Sequence, residues 1–199
     1  MLYPMSGIAV FASGNGSNAE NIIRYCQENA DCGAMVSLVI CNRREAGVIG
    51  RAQRLGVPVK VLNRAEINDP DILLPLLDEY GVEGIALAGF LLMIPEFLLE
   101  RYPKRIINIH PSLLPKYGGK GMYGRHIHEA VVAAGETETG ITIHEVSSEC
   151  DGGDIIFQVS VPVAPGDTAE DVETAIHALE REHYPRIVVS TLGSLSSIQ

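Results

Sequence analysis

The chain has 199 residues, of which 46% are hydrophobic and 20% charged, and a formal net charge of −10. That length can bury one substantial core or two small ones, and the composition is that of an ordinary globular protein. The acidic balance opposes non-specific binding to nucleic acid and to anionic membranes, but not to a small phosphorylated ligand held by a few local donors. No apolar run approaches the roughly 20 residues needed to span a bilayer. Residues 1–7 lack the basic start and apolar centre of a secretory signal, so a soluble, cytoplasmic protein is expected. None of Cys26, Cys32, Cys41 and Cys150 forms a C-x-x-C pair. Neither a zinc site nor a redox motif is therefore indicated, and buried reduced thiols are expected.

Residues 7–12, Gly-Ile-Ala-Val-Phe-Ala, form a continuous apolar run bounded by turn residues. Such a run reads as a central parallel strand buried on both faces. Ser13-Gly14-Asn15-Gly16-Ser17-Asn18 follows, then a helical stretch to about Glu28 whose apolar face carries Ile22, Ile23 and Cys26. Strand, glycine-rich turn and helix leave backbone N–H groups and a positive dipole end free for an anion. Ser17 and Asn18 can cap the helix or donate to phosphate oxygens. The run is neither G-x-G-x-x-G nor a Walker loop, which favours a monophosphate over a dinucleotide or triphosphate. The alternative is a tight turn with no ligand.

Residues 35–41 read as a second buried strand, and 46–55 as a helix stopped by Gly56 with Pro58 beyond. Residues 59–62 make a short strand. Residues 70–80 make a helix with a leucine face, which Pro75 is expected to bend or divide. Residues 84–88 form the fourth strand. Pro95 suits the first turn of a helix running to Arg101. Residues 106–109 form the fifth strand, ending in Asn108-Ile109-His110-Pro111-Ser112-Leu113-Leu114-Pro115. Residues i and i+2 of a strand point the same way, so Asn108 and His110 can face one substrate together.

Unbroken alternation of strand and helix to this point implies a doubly wound, mostly parallel α/β sheet with right-handed crossovers. Ligands of such sheets lie beyond the carboxyl ends of the strands. Residues 14–18, 90–94 and 108–110 all fall at that edge. Residues 116–124 are glycine-rich and read as a mobile loop able to close over a substrate. Residues 125–134 read as a helix on which His126 and His128 face different directions, which argues against a metal pair. Residues 140–146 form a strand carrying His144, and 147–153 a loop containing Asp151-Gly152-Gly153. Residues 155–161 add an antiparallel strand. The last helix starts near Thr168, with Asp171 completing a capping box, and ends or bends near Pro185. No internal repeat or domain-splitting linker is evident.

The chemical candidates are thus Asn108, His110, His144 and Asp151. An aspartate beside His110 would orient the imidazole and favour its charged form. Such a histidine can move protons near neutral pH, and an amide N–H can stabilise an oxyanion on a carbonyl under attack. The set fits acyl-type transfer to an amine without metal and without a covalent intermediate. For Asp151 alone, an ordinary turn aspartate before Gly-Gly is the alternative.

The run from Asn108 to Pro115, together with Asp151-Gly152-Gly153, resembles the folate-dependent formyltransferases. The added Gly14-Asn15-Gly16-Ser17-Asn18 is similar to the branch of that family that serves purine biosynthesis. The resemblance extends from Gly7 to about Pro185. It implies one Rossmann-like formyltransferase domain over residues 1–199, with a phosphate-binding N-terminal half and a folate-binding, catalytic C-terminal half. It implies formyl transfer from 10-formyltetrahydrofolate, as co-substrate and without metal, to the amine of glycinamide ribonucleotide. Asn108 and His110 would stabilise the tetrahedral intermediate, Asp151 would sustain the charged imidazole, and His144 would support them. Gly16, Ser17 and Asn18 would hold the phosphate, with His177 and Glu180 on the sugar or glycinamide. Leu91, Leu92, Met93 and Ile94, with Asn108, Ser147, Ser148, Glu149, Cys150 and Asp151, would wrap the folate, largely through backbone contacts.

The chain departs from the family pattern at Leu92, where some relatives carry arginine, so a side-chain salt link to the folate is lost there. The resemblance implies small-molecule partners only, with no nucleic acid or membrane, and a monomer or weak homodimer. A tRNA formyltransferase would need an Arg-Gly-Ala-Ala-Pro type continuation and an RNA-binding domain. A formyltetrahydrofolate hydrolase would carry an extra N-terminal domain. A non-catalytic nucleotide-binding module would explain the glycine loop but leave Asn108, His110 and Asp151 without purpose.

Overall fold

A computed structural model of the protein describes residues 5–193. Its sheet has seven strands: β1 (Ser6–Ala12), β2 (Ala34–Cys41), β3 (Val59–Val61), β4 (Val82–Leu87), β5 (Ile106–His110), β6 (Glu138–Glu145) and β7 (Ile155–Pro162). They lie in the order β3-β2-β1-β4-β5-β6-β7. The first five are mutually parallel, and β6 and β7 join antiparallel. The expected doubly wound sheet with an antiparallel addition is the observed one. Strand order reverses between β1 and β4, which is where such sheets open a crevice for ligands.

The centre of the sheet is apolar on both faces because its sequence is. In β1, Ile8, Val10 and Ala12 enter one core while Ala9 and Phe11 enter the other, as the two-residue period of a strand requires. The first core is closed by α1 (Ser17–Glu28), α2 (Gly47–Arg54) and α7 (Ala169–Leu192), and α6 (Arg125–Ala133) packs on α7. The second is closed by the short α3 (Arg64–Ile67), α4 (Pro70–Glu79) and α5 (Glu96–Arg101). Helix α3 was not expected, although Asn63 and Glu66 form a complete capping box around its start. Pro75 lies inside α4 without dividing it; Leu73 and Leu77 on either side are fully buried.

Two expectations need correction. The last helix, expected to end or bend near Pro185, does not end there but runs to Leu192, and Tyr184, Pro185, Val188 and Leu192 are all buried. A proline within a helix costs about 3 kcal/mol. Burying a Val or Leu side chain contributes about 1.5–3 kcal/mol each, so the packing of Val188 and Leu192 offsets the lost backbone bond. Tyr184 adds a hydroxyl that donates to the Leu87 carbonyl at 2.7 Å, tying α7 to the end of β4. Second, the cysteines are not uniformly buried. Cys26 and Cys41 are in the core, Cys32 is half-buried, and Cys150 is exposed because it lies in the 147–153 turn rather than in a core-facing element.

Candidate active site

A cavity of about 770 Å³ opens at the carboxyl ends of β1, β4 and β5, a volume ordinary for a small-molecule site. One wall is residues 14–18, another Gly89 to Met93, and a third is Asn108 to Pro111. Gly119 to Gly124 and Cys150 with Asp151 close it from the side of β6, and His177 and Glu180 from α7.

The glycine loop is shaped by contact with α2. Gly16 is left-handed (φ +83°), and a β-carbon there would lie 2.5 Å from Val48 Cβ. Only glycine fits both constraints. Gly16 also takes the N-cap position of α1, with no side-chain cap. Ser17 and Asn18 therefore do not cap the helix. Asn18 instead lines the cavity together with Glu180. Burial pushes the pKa of Glu180 up, and Asn18 and His177 pull the other way. Ser13, fully enclosed, joins two walls: its N–H donates to the Gly89 carbonyl at 3.0 Å and its hydroxyl accepts from the Leu91 N–H at 2.9 Å.

The opposite wall is built from side chains. Strand pairing sets Asn108 directly across from His144, and the Asn108 amide nitrogen lies 3.1 Å from His144 Nε2. His144 Nδ1 donates to the Glu145 carbonyl at 2.8 Å, so in the neutral ring Nε2 is the acceptor and Asn108 the donor. Burial lowers the His144 pKa, the Glu145 carbonyl and Asp151 opposing it, which keeps that ring neutral near pH 7. One amide N–H of Asn108 is thus engaged and its second remains for a ligand.

His110 is buried, with Nε2 donating to the Tyr117 carbonyl at 2.8 Å and Nδ1 3.6 Å from Asp151 Oδ1. Both ring nitrogens thus face acceptors, the Tyr117 carbonyl and the Asp151 carboxylate, which fix the orientation of the ring. The turn that precedes Tyr117 is held by a network behind it. Thr142 Oγ1 donates to the Ser112 carbonyl and accepts from the Leu114 N–H, and Ser112 Oγ donates to the Lys116 carbonyl.

Asp151 sits in the left-handed region (φ 56°). Its Oδ1 lies 3.7 Å from His144 Nε2 as well, and its Oδ2 accepts from the Gly119 N–H at 2.8 Å. The loop carrying it folds back onto β6 at Gly153, where a β-carbon would lie 1.7 Å from the Glu145 carbonyl oxygen. A carboxylate 43 residues from Asn108 in sequence (151 − 108) is thereby brought beside the same imidazole pair.

Of the residues singled out from the sequence, Gly16, Ser17, Asn18, Leu91, Leu92, Met93, Asn108, His110, Cys150, Asp151, His177 and Glu180 line the cavity. His144 stands just behind Asn108. Ile94 does not line the cavity; its side chain is buried in the second core. Ser147, Ser148 and Glu149 also lie outside the lining, Ser147 being committed to a turn with the Glu149 backbone. Sequence reasoning missed His128, Glu173 and Ile176, which do line it. His128 and Glu173 carry no local motif and meet only because α6 packs on α7. Burial lowers the His128 pKa, with Glu173 opposing. Among the described residues, no group of three or more His, Cys, Asp or Glu is arranged to hold a metal, and no helix is long and apolar enough to cross a membrane.

Fold and site together define a doubly wound α/β protein with one cavity shared by an anion-type loop and an amide–imidazole–carboxylate cluster. The chain belongs to the formyl transferase family, whose model matches residues 6–188. It is 39% identical over 196 residues to the phosphoribosylglycinamide formyltransferase of Bacillus subtilis (strain 168), covering 95% of this chain and 96% of that protein. It is 40% identical over 193 residues to the chloroplastic phosphoribosylglycinamide formyltransferase of Arabidopsis thaliana, covering 94% of this chain but spanning only 64% of the plant protein's length. The crystal structure of the phosphoribosylglycinamide formyltransferase from Bacillus halodurans superposes with a TM-score of 0.84 at 34% identity, covering 95% of this chain and 96% of that one.

Proposed function

We propose that this protein transfers the formyl group of 10-formyltetrahydrofolate to the amine of glycinamide ribonucleotide, a step of purine biosynthesis. The observation that carries the reading is the meeting of Asn108, His110 and Asp151 in the wall of a cavity whose other wall is a glycine loop at a helix start. The amine lone pair attacks the formyl carbon and forms the new C–N bond. The carbonyl electrons move to oxygen, where the free N–H of Asn108 and the imidazole of His110 stabilise the oxyanion. The amine proton leaves as the folate nitrogen takes one and its bond to the formyl carbon breaks, with His110 handling protons. Asp151, facing His110 Nδ1, orients the ring.

Gly16, Ser17 and Asn18 take the phosphate, and His177 and Glu180 the sugar or glycinamide. The exposed Leu91 and Met93 with Tyr123 offer apolar surface to the folate ring. Leu91 to Met93, Asn108, Cys150 and Asp151 fit that role by position. Ile94 has only its backbone left for it. One formyltransferase domain over residues 1–199, acting in the cytoplasm on small molecules as a monomer or weak homodimer, completes the reading; the single continuous sheet supports the domain.

The test is to mix protein, glycinamide ribonucleotide and the formyl-folate and follow the folate absorbance. Turnover that disappears in His110→Ala supports the proposal. Release of formate without formylated product would favour a hydrolase, and binding without turnover a nucleotide-binding module.

A further inference from the structure

The phosphate loop carries no cation. Residues 13–18 are Ser-Gly-Asn-Gly-Ser-Asn, so an anion there is held by backbone N–H groups, and something must turn those groups inward. Arg51, on α2 and outside the cavity lining, donates from Nε to the Asn15 carbonyl at 2.9 Å and from Nη2 to Asn15 Oδ1 at 3.2 Å. Its Nη1 binds the Glu20 carboxylate, which Arg24 also grips at 2.8 Å. One turn earlier on α2, the Val48 N–H donates to the Gly14 carbonyl at 3.2 Å.

In a trans peptide the carbonyl and the following N–H point in opposite directions. Holding the carbonyls of Gly14 and Asn15 against α2 therefore directs the N–H groups of Asn15 and Gly16 to the other side, and both residues line the cavity. The Asn15 side-chain oxygen, which would repel an anion, is drawn to the guanidinium as well. Glu20 neutralises Arg51, so its contribution is orientation more than net charge. A planar fork that grips a carbonyl and a side-chain oxygen while bonded to a carboxylate is a task lysine performs only in part.

We propose that Arg51 is a positioning residue for the phosphate subsite: by fixing the Asn15–Gly16 peptide it turns the loop into an anion-binding nest. This rests on the reading of residues 14–18 as a phosphate site.

The experiment compares wild type, Arg51→Met and Arg51→Lys by direct binding of ribose 5-phosphate and by steady-state kinetics. Arg51→Met should weaken ribose 5-phosphate binding about tenfold and raise KM for glycinamide ribonucleotide by a similar factor, the loss of one or two oriented donors. KM for the formyl-folate should stay within about twofold, and Arg51→Lys should recover part of the loss. Unchanged ribose 5-phosphate affinity in Arg51→Met would overturn the inference. So would a parallel rise in both KM values with a lowered melting temperature in both variants, which marks a general structural role. If wild type binds ribose 5-phosphate and Arg51→Met does not, yet wild type fails to formylate glycinamide ribonucleotide, the inference stands and the functional reading falls.

Discussion

The two walls of the cavity are made in different ways. The wall at β1 is backbone: a glycine loop moulded on α2. The wall at β5 is side chain: an amide, two imidazoles and a carboxylate, gathered from two antiparallel neighbours and the loop between β6 and β7. Parallel strands bring only their ends to the cavity. An antiparallel partner lays a side chain directly across from one in the cavity wall, as His144 faces Asn108. The contrast teaches where substitutions act. On the first wall a change of residue matters when it moves the chain. On the second it matters when it alters a polar atom.

The sharpest way to break the contrast is at His110. His110→Ala should lower kcat by about 10³-fold with melting temperature little changed, within the range of lost proton-transfer groups. Asp151→Asn should reduce kcat by about 10²-fold and ligand affinity much less; equal losses in both would make Asp151 structural instead. Gly16→Ala tests the backbone wall. The left-handed angle and the Val48 contact should raise KM for the phosphorylated substrate about tenfold and lower the melting temperature, leaving KM for the folate near its starting value.

The smaller effects concern titration. His144 and His128 are both held below the ordinary value of 6.5 by burial. Their unfolded forms take up protons first as pH falls, so stability is full above about pH 6.5 and declines below it. Melting temperatures measured between pH 7.5 and 5 should show that decline, and His144→Gln should flatten part of it. Glu180 shifts the other way. Its raised pKa means the carboxylate opposes folding at neutral pH, so Glu180→Gln should raise the melting temperature by a few degrees at pH 7, less as pH drops towards 4.5, while weakening ribose binding.

The backbone wall was largely legible in the chain. An apolar run, a Gly-Asn-Gly turn and an amphipathic helix give strand, loop and helix with little ambiguity. Asn108 and His110 were legible because a strand's two-residue period puts them on one side. What the sequence did not disclose depends on packing. Helix α7 passes Pro185 because Val188 and Leu192 have a core to enter. Ile94 turns into the second core, and Ser147 closes a local turn away from the cavity. Helix α3 had a readable Asn63–Glu66 box but only one turn of chain. His128 and Glu173 became cavity residues only through the docking of α6 on α7, which no local pattern encodes.

Ser13, just past β1, is bonded at two points to the loop that follows β4, through Gly89 and Leu91. In a reaction between two separately bound molecules, misplacement by about 1 Å can cost about 10²-fold in rate. Two hydrogen bonds of one residue, at 3.0 and 2.9 Å, therefore gauge how far the 89–93 wall stands from the 14–18 wall. Neither wall can drift without dragging the other, so the width of the cavity at this edge is written into one enclosed serine.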